Sequence, residues 1–232
     1  MKRIVSRYVL STILFILVTH PIISQVNDAG LWENIYLEKK ITTKWKIHLN
    51  QQNRVNQNIS RFYYAYGDFG VTYKWNKHIS TMCDYVLIER RLLNDSWSLR
   101  HQWYAAIILK QKMGLFTVSD RIMGQIQYSD FHTSKHGRIA DHHLRNKTTL
   151  KYNNISRYTY YVAFEMYYKL DQYYKNDLSQ GRQLDRLRYF IGTFYELNKK
   201  SELELYYLYE NNFNMYNPPK NFVIGIGYAH YF

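Results

Sequence analysis

The stretch RYTYYVAFEMYYKL, Arg157–Leu170, separates into two stripes when every second residue is taken. One stripe is Tyr158, Tyr160, Val162, Phe164, Met166, Tyr168 and Leu170; the other is Thr159, Tyr161, Ala163, Glu165, Tyr167 and Lys169. Alternation with period two marks a β-strand, because successive side chains leave the backbone on opposite sides. The predicted strand has one greasy face and one mixed face that carries charge. Leu184–Leu197 repeats the pattern, and each run of 14 residues exceeds the roughly 5 to 6 of a soluble strand. Both are long enough for the roughly 9 to 11 tilted residues that cross a bilayer.

Working outward, the same phrase returns along the chain. YLEKKITTKWKIHL begins at 36, YKWNKHISTMCDYVL at 73, ILKQKMGLFTVSDRI at 108, LKYNNISRYTYYVAF at 150 and FYELNKKSELELYYL at 194. Each is an alternating segment, a tight polar turn and a second alternating segment, so one repeat is a hairpin of two long strands. Between the hairpins lie longer polar stretches, such as SDFHTSKHGRIADHH at 129 and DQYYKNDLSQGRQ at 171. Short turns at one end and longer loops at the other is the layout of an outer-membrane barrel with periplasmic turns. A propeller needs four short strands per blade, and these repeats hold two.

The stripes sort by polarity as a wet lumen requires. From 184 the outward stripe is Leu187, Tyr189, Ile191, Thr193, Tyr195 and Leu197, and the inward one Arg186, Arg188, Phe190, Gly192, Phe194 and Glu196. The next strand sets Leu203, Leu205, Tyr207 and Tyr209 against Glu202, Glu204, Tyr206, Leu208 and Glu210. The expected lumen carries Lys44, Lys46, His48, Arg54, Arg100, Arg145, Lys147, Arg186 and Arg188 against Asp68, Glu165, Glu196, Glu202 and Glu204. Cross-strand ion pairs within it are expected, with Arg186, Arg188, Glu202 and Glu204 as the candidate cluster. A basic constriction selecting anions is the alternative. Trp45, Tyr73, Trp75, Trp103 and Tyr168 read as interfacial girdles.

The first 24 residues have the order of a secretory signal: Lys2, Arg3 and Arg7, an apolar run from about Tyr8 to Val18, then Ile22, Ile23 and Ser24. The expected division is a signal at 1–24 and a barrel domain at 25–232. Removing the signal lowers the net charge from +13 by three to +10, a balance suited to anionic partners, lipopolysaccharide included. Nucleic acid is excluded as a partner for an exported chain. The single cysteine, Cys83, cannot form an internal disulfide and falls on the outward stripe. Proline, which breaks strand ladders, occurs only at 21, 218 and 219.

The chain ends NFVIGIGYAHYF, an alternating strand closing on an aromatic residue. This resembles the C-terminal signal read by the barrel-assembly machinery, with Gly227, Tyr228 and Phe232 in the matching places and His230 where an aromatic is usual. Together with GLWENIYLEKKITTKWKIHLNQQNR near the start and RLRYFIGTFYELNKKSELELYYLYENN near the end, the chain resembles the outer-membrane family catalogued as domain of unknown function 2490. The resemblance implies a barrel and transfers no activity.

The expected fold is therefore all-β: an antiparallel up-and-down transmembrane barrel of about 10–12 strands in the outer membrane, in contact with its lipids. Five hairpins and a terminal strand make eleven. Single-chain bacterial barrels use even numbers, which favours ten, with Gly30–Glu38 outside the wall. Such a barrel is narrow, so a structural or narrow-pore, porin-like role is expected. A lipid-modifying barrel enzyme, using Ser98 with His101 or Ser134 with His136, and a soluble lipocalin-like binder are the rivals. No cofactor is implied. His132, His136, His142 and His143 are weak candidates for metal ligands, since their spacing fits no established motif.

Overall fold

The computed structural model describes residues 27–92, 94–129, 140–153, 157–170, 173–175, 178–180, 183–213 and 218–232. The strands are β1 (Asn27–Lys40), β2 (Trp45–Asn56), β3 (Arg61–Lys74), β4 (Ile79–Arg91), β5 (Trp97–Met113), β6 (Phe116–Ser129), β7 (Asp141–Asn153), β8 (Tyr158–Lys169), β9 (Tyr173–Lys175), β10 (Leu178–Gln180), β11 (Gln183–Asn198), β12 (Ser201–Asn212) and β13 (Lys220–Tyr231). All except β9 and β10 close into one barrel of eleven strands, in which chain neighbours pair antiparallel and β1 meets β13. The small β9–β10 hairpin stands apart from the wall, within a segment whose sequence reads as a polar loop.

The short connections lie at one end, where β5 and β6 are joined by Gly114 and Leu115 and β11 and β12 by Lys199 and Lys200. Gly114 has φ of +59°, which a glycine adopts without Cβ strain. The longer connections lie at the other end. At that end too, the four-residue connection between β2 and β3 carries Gln57, Asn58 and Ile59 at φ of 52°, 54° and 64°. That region is unfavourable for a β-branched Ile59, and two bonds to β1 hold it there. The Asn58 amide donates to Asp28 Oδ1 at 2.9 Å and the Ile59 amide to Ala29 O at 3.1 Å.

The two-stripe pattern decides which side of the wall each residue occupies. On β8, Tyr158, Tyr160, Val162 and Phe164 are exposed on the outside, whereas Tyr161, Ala163, Glu165 and Tyr167 are buried inside. The same holds around the barrel: Ile191 is 61% exposed and Leu205 54%, while Arg188 and Glu210 are 4% and 5% exposed. Aromatic groups gather at the rims. Trp45, Tyr73 and Trp75 pack in series at the turn end, tilted and then edge to face, with centroids 4.7 and 4.8 Å apart, and Phe62 meets Trp97 at 5.7 Å near the loop end.

Apolar packing inside is split into two clusters. Trp32, Tyr161, Ala163, Tyr206, Leu208 and Val223 form one, and Val86, Ile88, Tyr104, Ala106 and Met123 the other. The interior of this narrow barrel is thus largely filled by its own side chains.

Closure corrects the expected count of ten. Gly30–Glu38 is a wall strand: β1 pairs parallel with β13 in unbroken register from Asn27↔Lys220 to Glu38↔Tyr231. Both strands run from the loop end to the turn end, so the even-number rule fails at this seam. The Phe232 amide donates to Glu38 O at 2.9 Å and finishes it.

Candidate functional site

The lumen holds a vestibule of about 490 Å3. Its lining includes nine basic side chains (Arg54, Arg90, Arg100, Arg121, Arg145, Lys147, Lys169, Arg186 and Arg188) and five acidic ones (Asp68, Asp141, Glu165, Asp185 and Glu204), an excess of four positive charges. Inward alternation on β2 to β8, β11 and β12 delivers them to one space, except for Asp185, which joins its neighbour Arg186 there at a register irregularity between Leu184 and Arg186.

At the wall of the vestibule, Glu165 accepts from Arg145 Nη2 at 2.8 Å, Arg121 Nη2 at 3.2 Å and Arg188 Nη1 at 3.4 Å. Arg188 Nε donates to Glu210 at 2.6 Å, and Arg186 lies 3.6 Å from the same carboxylate. Asn221 adds a bond to Glu210 at 2.7 Å, and Arg188 also donates to the Tyr167 hydroxyl. The Tyr167 ring stands beneath three guanidinium groups, those of Arg145, Arg188 and Arg186 at 4.3, 4.8 and 5.2 Å. Four arginines share two carboxylates, so the web keeps a positive surplus. The Arg54 guanidinium is held between Trp32 at 3.8 Å and Tyr64 at 4.4 Å, with Nε donating to Gln52 at 2.6 Å, and the same Trp32 ring meets Arg188 of the web at 5.1 Å.

A waist separates the vestibule from a second cavity of about 220 Å3 near the turn end, lined by Tyr36, Lys151, Phe194, Glu202, Gly227 and Tyr231 among others. Asn34 and Glu204 border both spaces. Tyr161 donates to Glu204 at 2.5 Å across the waist, and Lys147 and Lys151 lie over Phe190 and Phe194 at 4.1 and 4.0 Å. Tyr206 narrows the waist further by laying its ring on β13 at Gly225, where a Cβ would come within 1.9 Å of the ring. No other residue type leaves that space.

In the vestibule wall formed by Asp68 and Tyr104, the Tyr104 hydroxyl donates to Asp68 Oδ2 at 2.7 Å, and beside them His48 Nε2 and Asp84 Oδ2 are 2.9 Å apart. One ligand atom from each of His48, Asp68 and Asp84 lies within 4.8 Å of the others, the single group of this kind among the described residues.

The predicted lumen cluster divides in two. Arg186 and Arg188 meet Glu210 and Glu165, whereas Glu202 accepts from Tyr231 at 2.6 Å and Glu204 from Tyr161. The expected inward stripe otherwise places Lys46, His48, Arg54, Arg100, Arg145, Lys147, Asp68 and Glu165 inside, while Lys44 and Glu196 are exposed near the turns. Glu210 sits on the inward stripe as read, but its role and those of Arg121 and Tyr104 escaped the sequence, because their partners are set by register across strands.

Of the histidines, His132 and His136 lie outside the described residues, as does Ser134. His143 lines the vestibule, 4.0 Å from Asp185, and His142, its chain neighbour on β7, points to the opposite face. The two are not brought together as ligands. Ser98 and His101, three apart on β5, also face opposite ways, and His101 is engaged by the Tyr85 hydroxyl at 2.7 Å. Cys83 is exposed on the outer face. At the C-terminus, Gly227 faces the lumen beside Glu204, Tyr228 faces out, and Phe232 is 62% exposed with its ring against His230 at 4.5 Å.

No curated protein matches the chain. Among solved structures it is similar to a bacterial polysaccharide outer membrane secretin, with 8% identity, a TM-score of 0.48 and cover of 82% of this chain and 63% of that one. It is also similar to the translocator domain of autotransporter NalP from Neisseria meningitidis, at 12% identity and a TM-score of 0.44 over 75% of this chain and 71% of that one. A third likeness is to the β domain of the Bordetella autotransporter BrkA, at 9% identity and 0.48 over 82% and 85%. The sequence profile of the family described as protein of unknown function (DUF2490) matches residues 29–221, from the start of β1 into β13, and the chain belongs to that family.

Proposed function

We propose that the protein is an integral outer-membrane barrel whose lumen is a basic cup on the loop side, narrowed at the waist to a conduit for water and small anions. One observation carries this reading: around the wall the outward stripe is dominated by large exposed aliphatic and aromatic residues, while the buried ionised groups, Glu165, Arg188 and Glu210 among them, point in beside the two apolar clusters. A soluble monomer tolerates apolar patches of a few hundred Å2, whereas here exposed Leu49, Phe69, Leu87, Ile107, Ile122, Leu150, Ile191, Leu205 and Ile226 encircle the barrel. Hydrocarbon outside removes that cost, and the rims of Trp and Tyr suit the headgroup level. A soluble lipocalin-like barrel would have the reverse polarity.

In this reading residues 1–24 direct export, the short turns face the periplasm, lipopolysaccharide meets the loop rim, and the machinery that inserts barrels reads Gly227, Tyr228 and Phe232. Carbonate washing tests the location: the protein stays with the membrane pellet and runs faster on a gel unboiled than boiled, while release into the supernatant would end the proposal. Planar-bilayer recording tests the conduit, with small anion-selective openings expected.

A further inference from the structure

We propose that His48, Asp68 and Asp84 bind a first-row divalent metal ion, of the Zn2+ class, in the lumen wall. Register places His48 opposite Gly70 and Gly70 opposite Asp84, so the imidazole and the carboxylate reach toward each other across a residue with no side chain. A Cβ at Gly70 would stand 2.2 Å from Asp84 Oδ1 and 2.3 Å from His48 Nε2. Asp68, two residues earlier on β3, closes the third side.

The three side chains are more than nine-tenths buried, at 4%, 7% and 1% exposure. Both carboxylates nevertheless keep a buried oxygen without a hydrogen-bond partner, Asp68 Oδ1 and Asp84 Oδ1. Two buried carboxylates beside one imidazole are short of positive charge, and burial makes that shortage costly. Lys46, two residues before His48 on the same face of β2, is taken by Glu38 at 2.6 Å. Tyr104 supplies a hydrogen bond to Asp68 but no charge. A divalent ion with two carboxylates and a neutral imidazole sums to zero.

An imidazole among the ligands favours Zn2+, Cu2+, Fe2+ or Ni2+ over Mg2+, Ca2+ or Mn2+. Replacement of the proton between Nε2 and Oδ2 by the ion needs their 2.9 Å separation to open by a few tenths of an ångström, given roughly 2.0 to 2.2 Å ligand bonds. The Tyr104 hydroxyl on Asp68, and the Tyr36 ring stacked on His48 at 5.5 Å, orient two of the ligands from behind. Asp68 and Tyr104 also line the vestibule, which gives the ion its route. The basic excess there slows a cation, so Zn2+ is best offered during refolding as well as afterwards.

The test is metal retention by the full-length protein in detergent, stripped with chelator, loaded with Zn2+ and desalted, with heat-modifiable migration as the check on folding. Wild type retains one equivalent, His48→Gln and Asp84→Asn retain none, and Tyr104→Phe binds about 10- to 100-fold more weakly. His142→Ala and His143→Ala bind as wild type does. No retention by wild type, undiminished retention by folded His48→Gln and Asp84→Asn, or loss in the His142 or His143 variant would overturn the site. X-ray absorption of the zinc-loaded wild type needs no variant. One imidazole among oxygen ligands supports the site, and an all-oxygen shell or several imidazoles refutes it.

Discussion

Single residues set the waist and the charge web. The Tyr206 ring occupies the space that Gly225 leaves free, so Gly225→Val pushes the ring off β13 into the lumen. Overpacking of this kind costs about 1–3 kcal/mol, to be read as a lower urea midpoint of the refolded barrel. Arg188 bonds Glu210 and Glu165 with all three groups buried, and Arg188→Met strips a partner from each at about 3–5 kcal/mol. Lys46, by contrast, is 38% exposed in its pair with Glu38; Lys46→Ala should shift the same midpoint by about 1 kcal/mol or less. If the two charge deletions cost the same, the web contributes nothing special. That Glu165 and Arg188 face inward was readable from parity alone. That they meet was not, since strand register is a property of two segments far apart in the chain.

At the scale of elements, the hairpins were legible because each lies within one stretch of sequence, with its stripes and turn together. The seam was not. It joins Asn27–Glu38 to Lys220–Tyr231, and nothing in either segment states that they pair parallel. An even-number rule therefore prevailed over the count of eleven that the phrases themselves supplied. The seam can be tested directly: Ile35 and Tyr228 are opposed on the outer face, so Ile35→Cys with Tyr228→Cys, in a Cys83→Ser background, should cross-link on oxidation. In a ten-stranded barrel closed by β2 and β13 the pair would stay reduced.

At the scale of the molecule, the polarity of the two faces was the most legible feature, because it depends only on alternation. The chemistry of the interior was the least legible, as it arises where residues of β2, β3 and β4, or of β7, β8, β11 and β12, converge. The vestibule excess of four positive charges predicts preference for anions under a potassium chloride gradient. Arg90→Glu together with Arg100→Glu removes four charges and should bring the reversal potential close to zero. A reversal potential unmoved by the pair would place selectivity at the waist instead.

The parallel seam has one more consequence, a matter of parity. With the barrel in the outer membrane as proposed, a wall of eleven passes sets Asn27 and Phe232 on opposite sides of it. A short epitope ahead of Asn27 would stand outside the cell and one behind Phe232 within the periplasm. Antibody applied to intact bacteria should therefore decorate the former alone, and equal labelling of both would mean that the polypeptide crosses an even number of times.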